Sequence, residues 1–272
     1  MHLEADRKLV IEPKESTAIY SGLIYLCRLF AIALLYLAIF TSIFSLFIIL
    51  GFRSLTPGLN QNKPRAREIV SAYLRLFRRT IAALGFAKTE IQGMENLQKE
   101  PPVVIIANHP GLIDALLILS YFPNIACLGK SHLGKNYIMN FLFSSLGYVY
   151  NSSNEDIIEN CAKIVEQGTN LLLFPEGTRS EFNKVGVFSR SPALIALKAN
   201  SPIVPVIIKY SSPLLDKSCA WHGAARQCVN INIKIYPNFT ASRPPEDFEN
   251  QRDASIALTA ELQQFFERHF YF

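Results

Sequence analysis

The hydrophobic pattern changes character along the chain. Between Arg28 and Arg53 lie 24 residues without a charge. At helical rise they cover roughly 36 Å, enough for a hydrocarbon core of about 30 Å. The stretch predicts a membrane span or a deep re-entrant helix. It is too long for the apolar region of a signal peptide, and the FRSLTPG that follows lacks a small-x-small cleavage site. Thr56-Pro57-Gly58 predicts a turn, and Pro64 suits a first helical position. Ala66, Ile69, Val70, Tyr73, Leu74, Phe77, Ile81 and Leu84 then recur at helical spacing, with Arg67, Arg75, Arg78 and Arg79 on other faces. From Arg53 to Lys88 there are eight basic residues and one acid, Glu68. Such a basic amphipathic helix suits an anionic bilayer surface.

Beyond residue 90 short apolar runs alternate with helical patterns. Residues 103–107, 171–174 and 203–208 are continuous apolar runs, or nearly so, and predict buried strands. Val229, Ile231, Ile233 and Ile235 alternate with Asn230, Asn232 and Lys234, as in a strand with one wet face. Helices are predicted over 112–121, 136–146, 192–199 and 253–269, Gly147 closing the second of these. Another follows the capping-box sequence Ser153-Asn154-Glu155-Asp156 and is closed by Gly168. The alternation predicts an α/β fold, a mixed, largely parallel sheet with flanking helices, preceded by an N-terminal membrane-anchoring helical segment. The expected organisation is a tail at 1–20, the membrane segment at 21–90 and an α/β domain at 91–272.

Composition sharpens this picture. Half of the 272 residues are hydrophobic and 18% are charged, apolar for a soluble domain but too polar for a multi-span membrane protein. Residues 1–90 hold 12 Lys/Arg and 6 Asp/Glu, or +6 of the net +5, which leaves −1 for the remainder. The basic excess flanks the apolar run more heavily on its C-terminal side, which predicts that the α/β domain lies on the cytoplasmic side; a bacterial inner membrane is the expected location. A domain of that charge is not built for nucleic acid. Five scattered cysteines with no C-x-x-C pair suggest neither a disulfide framework nor zinc. His132 and His222 sit at no metal-ligand spacing. No metal or cofactor is expected.

Candidate chemistry lies at two strand ends. After residues 103–107 come Asn108, His109, Pro110, Gly111 and, five positions after the histidine, Asp114. On an unbroken helix His109 and Asp114 would point about 140° apart. The Pro-Gly turn instead puts His109 on a loop and Asp114 on the first turn of the next helix. A histidine base whose far nitrogen is held by a carboxylate suits proton removal from an attacking hydroxyl. No serine or cysteine stands out as a covalent nucleophile, so direct attack by the acceptor hydroxyl is the simplest route. After residues 171–174 comes Pro175-Glu176-Gly177-Thr178-Arg179. There an acid can accept from an acceptor hydroxyl, a bare backbone admits a ligand, and a guanidinium can fork onto phosphate.

The two turns, with 62 positions from Asp114 to Glu176, resemble the lysophospholipid acyltransferase family, whose best known members are the 1-acylglycerol-3-phosphate acyltransferases. Asn108, His109 and Asp114 match its NHxxxxD motif. Glu176, Gly177, Thr178 and Arg179 match EGTR, and Val204, Pro205 and Val206 match a later strand. The resemblance implies transfer of a fatty acyl group from an acyl carrier protein or coenzyme A thioester to a lysolipid hydroxyl at a membrane. It implies His109 as base, Asp114 as its partner, and an acceptor held by Glu176, Gly177, Thr178, Arg179 and Lys130. The chain departs from the pattern in two places. Gly111 stands where the family usually has serine. Asn151-Ser152-Ser153 follows Gly147-Tyr148-Val149-Tyr150 where glycerol-phosphate-using members carry an arginine. That second departure opens the alternatives of another acceptor, such as lyso-ornithine lipid, or a non-catalytic lipid-binding protein of the same fold.

Overall fold

The computed structural model describes residues 15–54, 62–98, 102–151, 154–214 and 228–270. The predicted tail as far as residue 14, the turn at 56–58, Ser152 and Ser153, and His222 lie outside them. The strands are β1 (Ala87–Gln92), β2 (Val104–Ala107), β3 (Ile125–Lys130), β4 (Val149–Asn151), β5 (Asn170–Leu173), β6 (Ile203–Tyr210) and β7 (Val229–Ile235). They form one sheet in the order β1-β7-β6-β2-β5-β3-β4. The run from β6 to β4 is parallel, whereas β7 lies antiparallel to β6 and pairs in parallel with β1. The mixed, largely parallel sheet is the predicted one. β1, β3 and the three-residue β4 were not predicted. β3 has only three fully buried residues before Leu128-Gly129-Lys130, too short a run to separate from a loop by pattern.

The helices are α1 (Glu15–Ser54), α2 (Lys63–Ala83), α3 (Glu95–Gln98), α4 (Asp114–Tyr121), α5 (Tyr137–Leu146), α6 (Asn154–Glu166), α7 (Ser191–Lys198) and α8 (Gln251–His269). Alternate residues of the central strands face opposite layers, as strand geometry requires. Ile105, Val204, Val206 and Ile208 pack with Leu117 and Ile118 of α4 and Ile81 of α2. Val104, Ile106, Leu171, Leu173 and Ile207 pack with Cys161 of α6, Ile195 of α7 and Phe266 of α8. The polar turns that follow β2 and β5 therefore emerge at one edge of a buried sheet, where ligands of open α/β folds commonly bind.

The N-terminal region bears on two expectations. Among the described residues no helix is long and apolar enough to cross a membrane, so the expected span has no support. α1 instead commits one face to the domain. Ile32 is buried in the α2/α4 layer, and Leu46 and Leu50 pack with Ala66, Val70, Leu142 and Leu146 of α2 and α5. Its other face leaves Leu23, Leu26, Phe30, Leu34, Leu37, Phe40, Phe44 and Ile48 exposed.

The second concerns Arg67 and Arg78 of the basic helix. Arg67 is 5% exposed, and its guanidinium donates to the Leu146 carbonyl at 2.9 Å, Asn124 Oδ1 at 3.0 Å and Thr169 Oγ1 at 3.1 Å. Arg78 donates to Ser120 Oγ at 3.1 Å and sits 4.1 Å from the Tyr121 ring centroid. These two arginines tie α2 to the domain instead of facing lipid. Arg75 and Arg79 remain exposed.

Candidate active site

β2 ends at Ala107, and Asn108 continues its ladder with side-chain atoms. Its Nδ2 donates to the Ile208 carbonyl at 2.9 Å and its Oδ1 accepts from the Ile208 N–H at 2.7 Å. Asn108 thereby anchors the start of the next turn to β6. His109 follows with its main chain held at both ends. Its N–H donates to Glu176 Oε1 at 3.2 Å, and its carbonyl accepts from the Ser180 N–H at 2.8 Å. The β2 and β5 turns are thus bonded to each other through the histidine backbone.

The imidazole is fixed in two further ways. Nδ1 donates to Asp114 Oδ2 at 2.8 Å, and the ring stacks on Phe174 at 4.3 Å between centroids and 25° between planes. The predicted pair is therefore assembled as the Pro-Gly turn required. With Nδ1 engaged, Nε2 is the nitrogen available for proton transfer, and the side chain keeps 19% of its surface open. Asp114 is fully buried. Oδ2 also accepts from the Gly111 N–H at 2.8 Å, and Oδ1 accepts from the Tyr210 hydroxyl at 2.5 Å. Burial raises the Asp114 pKa, and the bonds from His109, Tyr210 and Gly111 oppose that rise. Tyr210 is pushed well above the usual phenol value by burial and by the neighbouring carboxylate.

Glu176 is held by main-chain groups on both of its oxygens. Oε1 accepts from the His109 N–H, and Oε2 accepts from the Gly186 N–H at 3.2 Å. Its main visible work is to bind the 174–180 turn to the His109 turn and to the 181–190 loop. Burial raises its pKa, while the two backbone N–H groups and the nearby Ser180 hydroxyl, which is not well aligned for a hydrogen bond, pull the other way. Gly177 makes the turn with φ +65° and is exposed, as is Thr178. Arg179 is partly buried. Lys130 stands exposed at the end of β3, two strands from β2 on the same sheet edge.

Phe174, Gly186 and Tyr210 join the site without having been predicted as part of it. Phe174 was readable only as the last residue of an apolar run. Gly186 lies in a loop with no motif. The one hint at Tyr210 is a hydroxyl at the end of the run Ile203–Tyr210. Gly186 has no room for a side chain, since a β-carbon there would lie 2.4 Å from Glu176 Oε2 and 3.0 Å from its Cδ. Gly186→Ala is expected to destabilise the fold by about 1–3 kcal/mol and to lower activity by displacing Glu176 from the His109 N–H. Chemical denaturation beside initial rates checks both, and an unchanged unfolding midpoint would show that the loop yields freely.

Comparison with known proteins places this geometry. Residues 88–209 match the acyltransferase family model. They are an acyltransferase-family domain. The match contains His109, Asp114, Lys130 and the turn from Glu176 to Arg179, and it stops one residue short of Tyr210. The chain is 31% identical over 166 residues to the chloroplastic 1-acyl-sn-glycerol-3-phosphate acyltransferase BAT2 of Brassica napus, covering 58% of this chain and 48% of that one. It is 25% identical over 163 residues to the chloroplastic LPAT1 of Arabidopsis thaliana, covering 57% and 46%. With the 1-acyl-sn-glycerol-3-phosphate acyltransferase of Borreliella burgdorferi it shares 26% over 158 residues, covering 55% and 61%. The chain thus spans about half the length of the first two relatives. The crystal structure of the 1-acyl-sn-glycerophosphate (LPA) acyltransferase PlsC from Thermotoga maritima superposes with a TM-score of 0.64. It covers 92% of this chain and 96% of that one at 24% identity. The acyltransferase domain therefore shares its fold with a solved structure.

Proposed function

We propose that this chain transfers a fatty acyl group from an acyl carrier protein or coenzyme A thioester to the hydroxyl of 1-acylglycerol-3-phosphate, giving phosphatidic acid. The observation that carries the reading is the 2.8 Å bond from His109 Nδ1 to the fully buried Asp114, on a ring clamped by Phe174. His109 Nε2 takes the acceptor hydroxyl proton as its oxygen attacks the thioester carbonyl. The carbon–sulfur bond then breaks, and the sulfur leaves as a thiol with the proton returned from His109. Asp114 holds the tautomer and offsets the charge of the transient imidazolium. Arg179 and Lys130 supply positive charge for an acceptor phosphate on the same sheet edge.

In this reading α1 lays its apolar face into lipid. A row of eight exposed large apolar side chains, from Leu23 to Ile48, is out of place in water, and an interfacial or re-entrant helix accounts for it. Exposed Arg75 and Arg79 add attraction to anionic headgroups. The reaction would thus take place at a membrane, on its cytoplasmic face.

The test is to offer purified, detergent-solubilised protein a labelled acyl thioester, on either carrier, with a panel of lysolipids. Acylation of lysophosphatidic acid is the expected result. Use of lyso-ornithine lipid with lysophosphatidic acid ignored would assign the chain to another acceptor branch, in keeping with Asn151-Ser152. Transfer to no acceptor would sink the reading.

A further inference from the structure

We propose that Tyr210 is a positioning residue for the His109–Asp114 pair, and that Gly111 lacks a side chain because the Tyr210 hydroxyl occupies the space one would need. The inference rests on the acyl-transfer reading for its kinetic test, but the contact itself is independent of it.

Three observations converge. The Tyr210 hydroxyl donates to Asp114 Oδ1, while Oδ2 takes both the His109 imidazole and the Gly111 N–H. Among the described residues Tyr210 is the partner of Oδ1, and with it the carboxylate plane is set from both ends. A single-ended carboxylate can rotate about its last bond and carry the imidazole with it. Second, a β-carbon at Gly111 would lie 2.6 Å from Tyr210 Oη, 2.8 Å from Cζ and 3.2 Å from Cε1. The φ of Gly111 is not positive, so the backbone would accept other residues, and the three atoms nearest to the added carbon all belong to the tyrosine. Third, the ring cannot swing aside cheaply. Tyr210 is 5% exposed and belongs to the core that includes Leu117, Ile118 and Ile208.

The link is also one of topology. β6 neighbours β2, and its Ile208 main chain is already bonded to Asn108. Two residues further along the same face, Tyr210 reaches past the turn to the first residue of α4. One strand thus fixes both the residue before His109 and the carboxylate behind it. The titratable groups facing Asp114 are His109 from the β2–α4 turn and Tyr210 from β6, with Glu176 bonded to the His109 main chain. A hydrogen bond to the ionised carboxylate makes it a weaker proton acceptor. Its loss raises the pH at which the pair takes up a proton.

The experiment compares pH–rate profiles for wild type, Tyr210→Phe, Tyr210→Leu, Gly111→Ala and the double variant Gly111→Ala/Tyr210→Leu, after a check of each thermal midpoint. Tyr210→Phe keeps the ring and is expected to lower kcat on the order of 10-fold, the scale of one hydrogen bond to a charged group. KM for both substrates stays put, and the acid limb moves to higher pH. Gly111→Ala is expected to cost at least as much in the wild-type background and nothing further in the Tyr210→Leu background, because the two residues compete for one space. A wild-type profile for Tyr210→Phe overturns the positioning role. An equal loss from Gly111→Ala in both backgrounds overturns the steric link. Should Tyr210→Leu fail to fold, the isosteric phenylalanine variant still decides. Should the wild type transfer no acyl group, the functional reading falls, and ¹⁵N imidazole titration assigned with His109→Ala judges the contact. A midpoint unmoved by Tyr210→Phe is then the refuting result.

Discussion

Replacing His109 by alanine is expected to lower acyl transfer by about 10²–10⁴-fold, the usual worth of a positioned acid–base group, while leaving the fold and lipid binding intact. The clean separation follows from how the residue is held. Its N–H and carbonyl are bonded to Glu176 and Ser180 through main-chain atoms, and alanine keeps both. Asp114 retains Gly111 and Tyr210 as partners, so no buried carboxylate is stranded. What disappears is Nε2 and the ring that Phe174 clamps. The acceptor hydroxyl must then attack with its proton still in place. Initial rates with a saturating thioester, beside liposome flotation, measure the two sides. A variant retaining more than a few per cent of the rate would remove His109 as the base. Loss of flotation along with activity would mean that the substitution had damaged the structure.

The second large effect is on stability. Asn108→Leu replaces a fully buried amide by an apolar group of similar size. The leucine fills the space but leaves the Ile208 N–H and carbonyl without the partners they have at 2.7 and 2.9 Å. A buried backbone group stripped of its bond costs about 1–3 kcal/mol, so the pair costs roughly 2–6 kcal/mol if neither finds a substitute. Urea unfolding of both proteins measures it. The active-site turn starts at this residue, so the folded variant should also be slow. A difference within about 0.5 kcal/mol, the range of neutral surface changes, would show that the ladder repairs itself or that water replaces the amide.

Most of the fold was legible because its strands and helices follow patterns that depend on near neighbours. Residues 103–107 and 203–208 read as buried strands from apolar continuity, and Val229 to Ile235 from alternation. β1 and β3 escaped because six residues with mixed polarity do not distinguish a strand from a loop without a partner, and β4 because three residues carry no pattern. β1 has one in β7, more than a hundred positions away. The helix α2 was visible, but the fate of its arginines was not. Periodicity places Arg67 and Arg78 off the apolar stripe, yet Asn124, Leu146 and Thr169 close over Arg67 and Ser120 meets Arg78. A long cation follows its acceptors, and these came from other elements.

At the site the same division holds. By themselves the residues His109-Pro110-Gly111 and Asp114 determined that a turn would bring a base to a carboxylate, since five positions is a local distance and the turn chemistry is local. They also determined that Glu176 would stand on a second turn at a strand end. Only the tertiary structure decided what each carboxylate would touch. Glu176 was turned onto main-chain N–H groups because the β2 and β5 turns lie side by side at the sheet edge. Phe174 was laid on the imidazole for the same reason. Tyr210, 96 positions from Asp114, was delivered by β6 as a neighbour of β2. Strand order is set by the burial of whole faces, and no spacing along the chain records it.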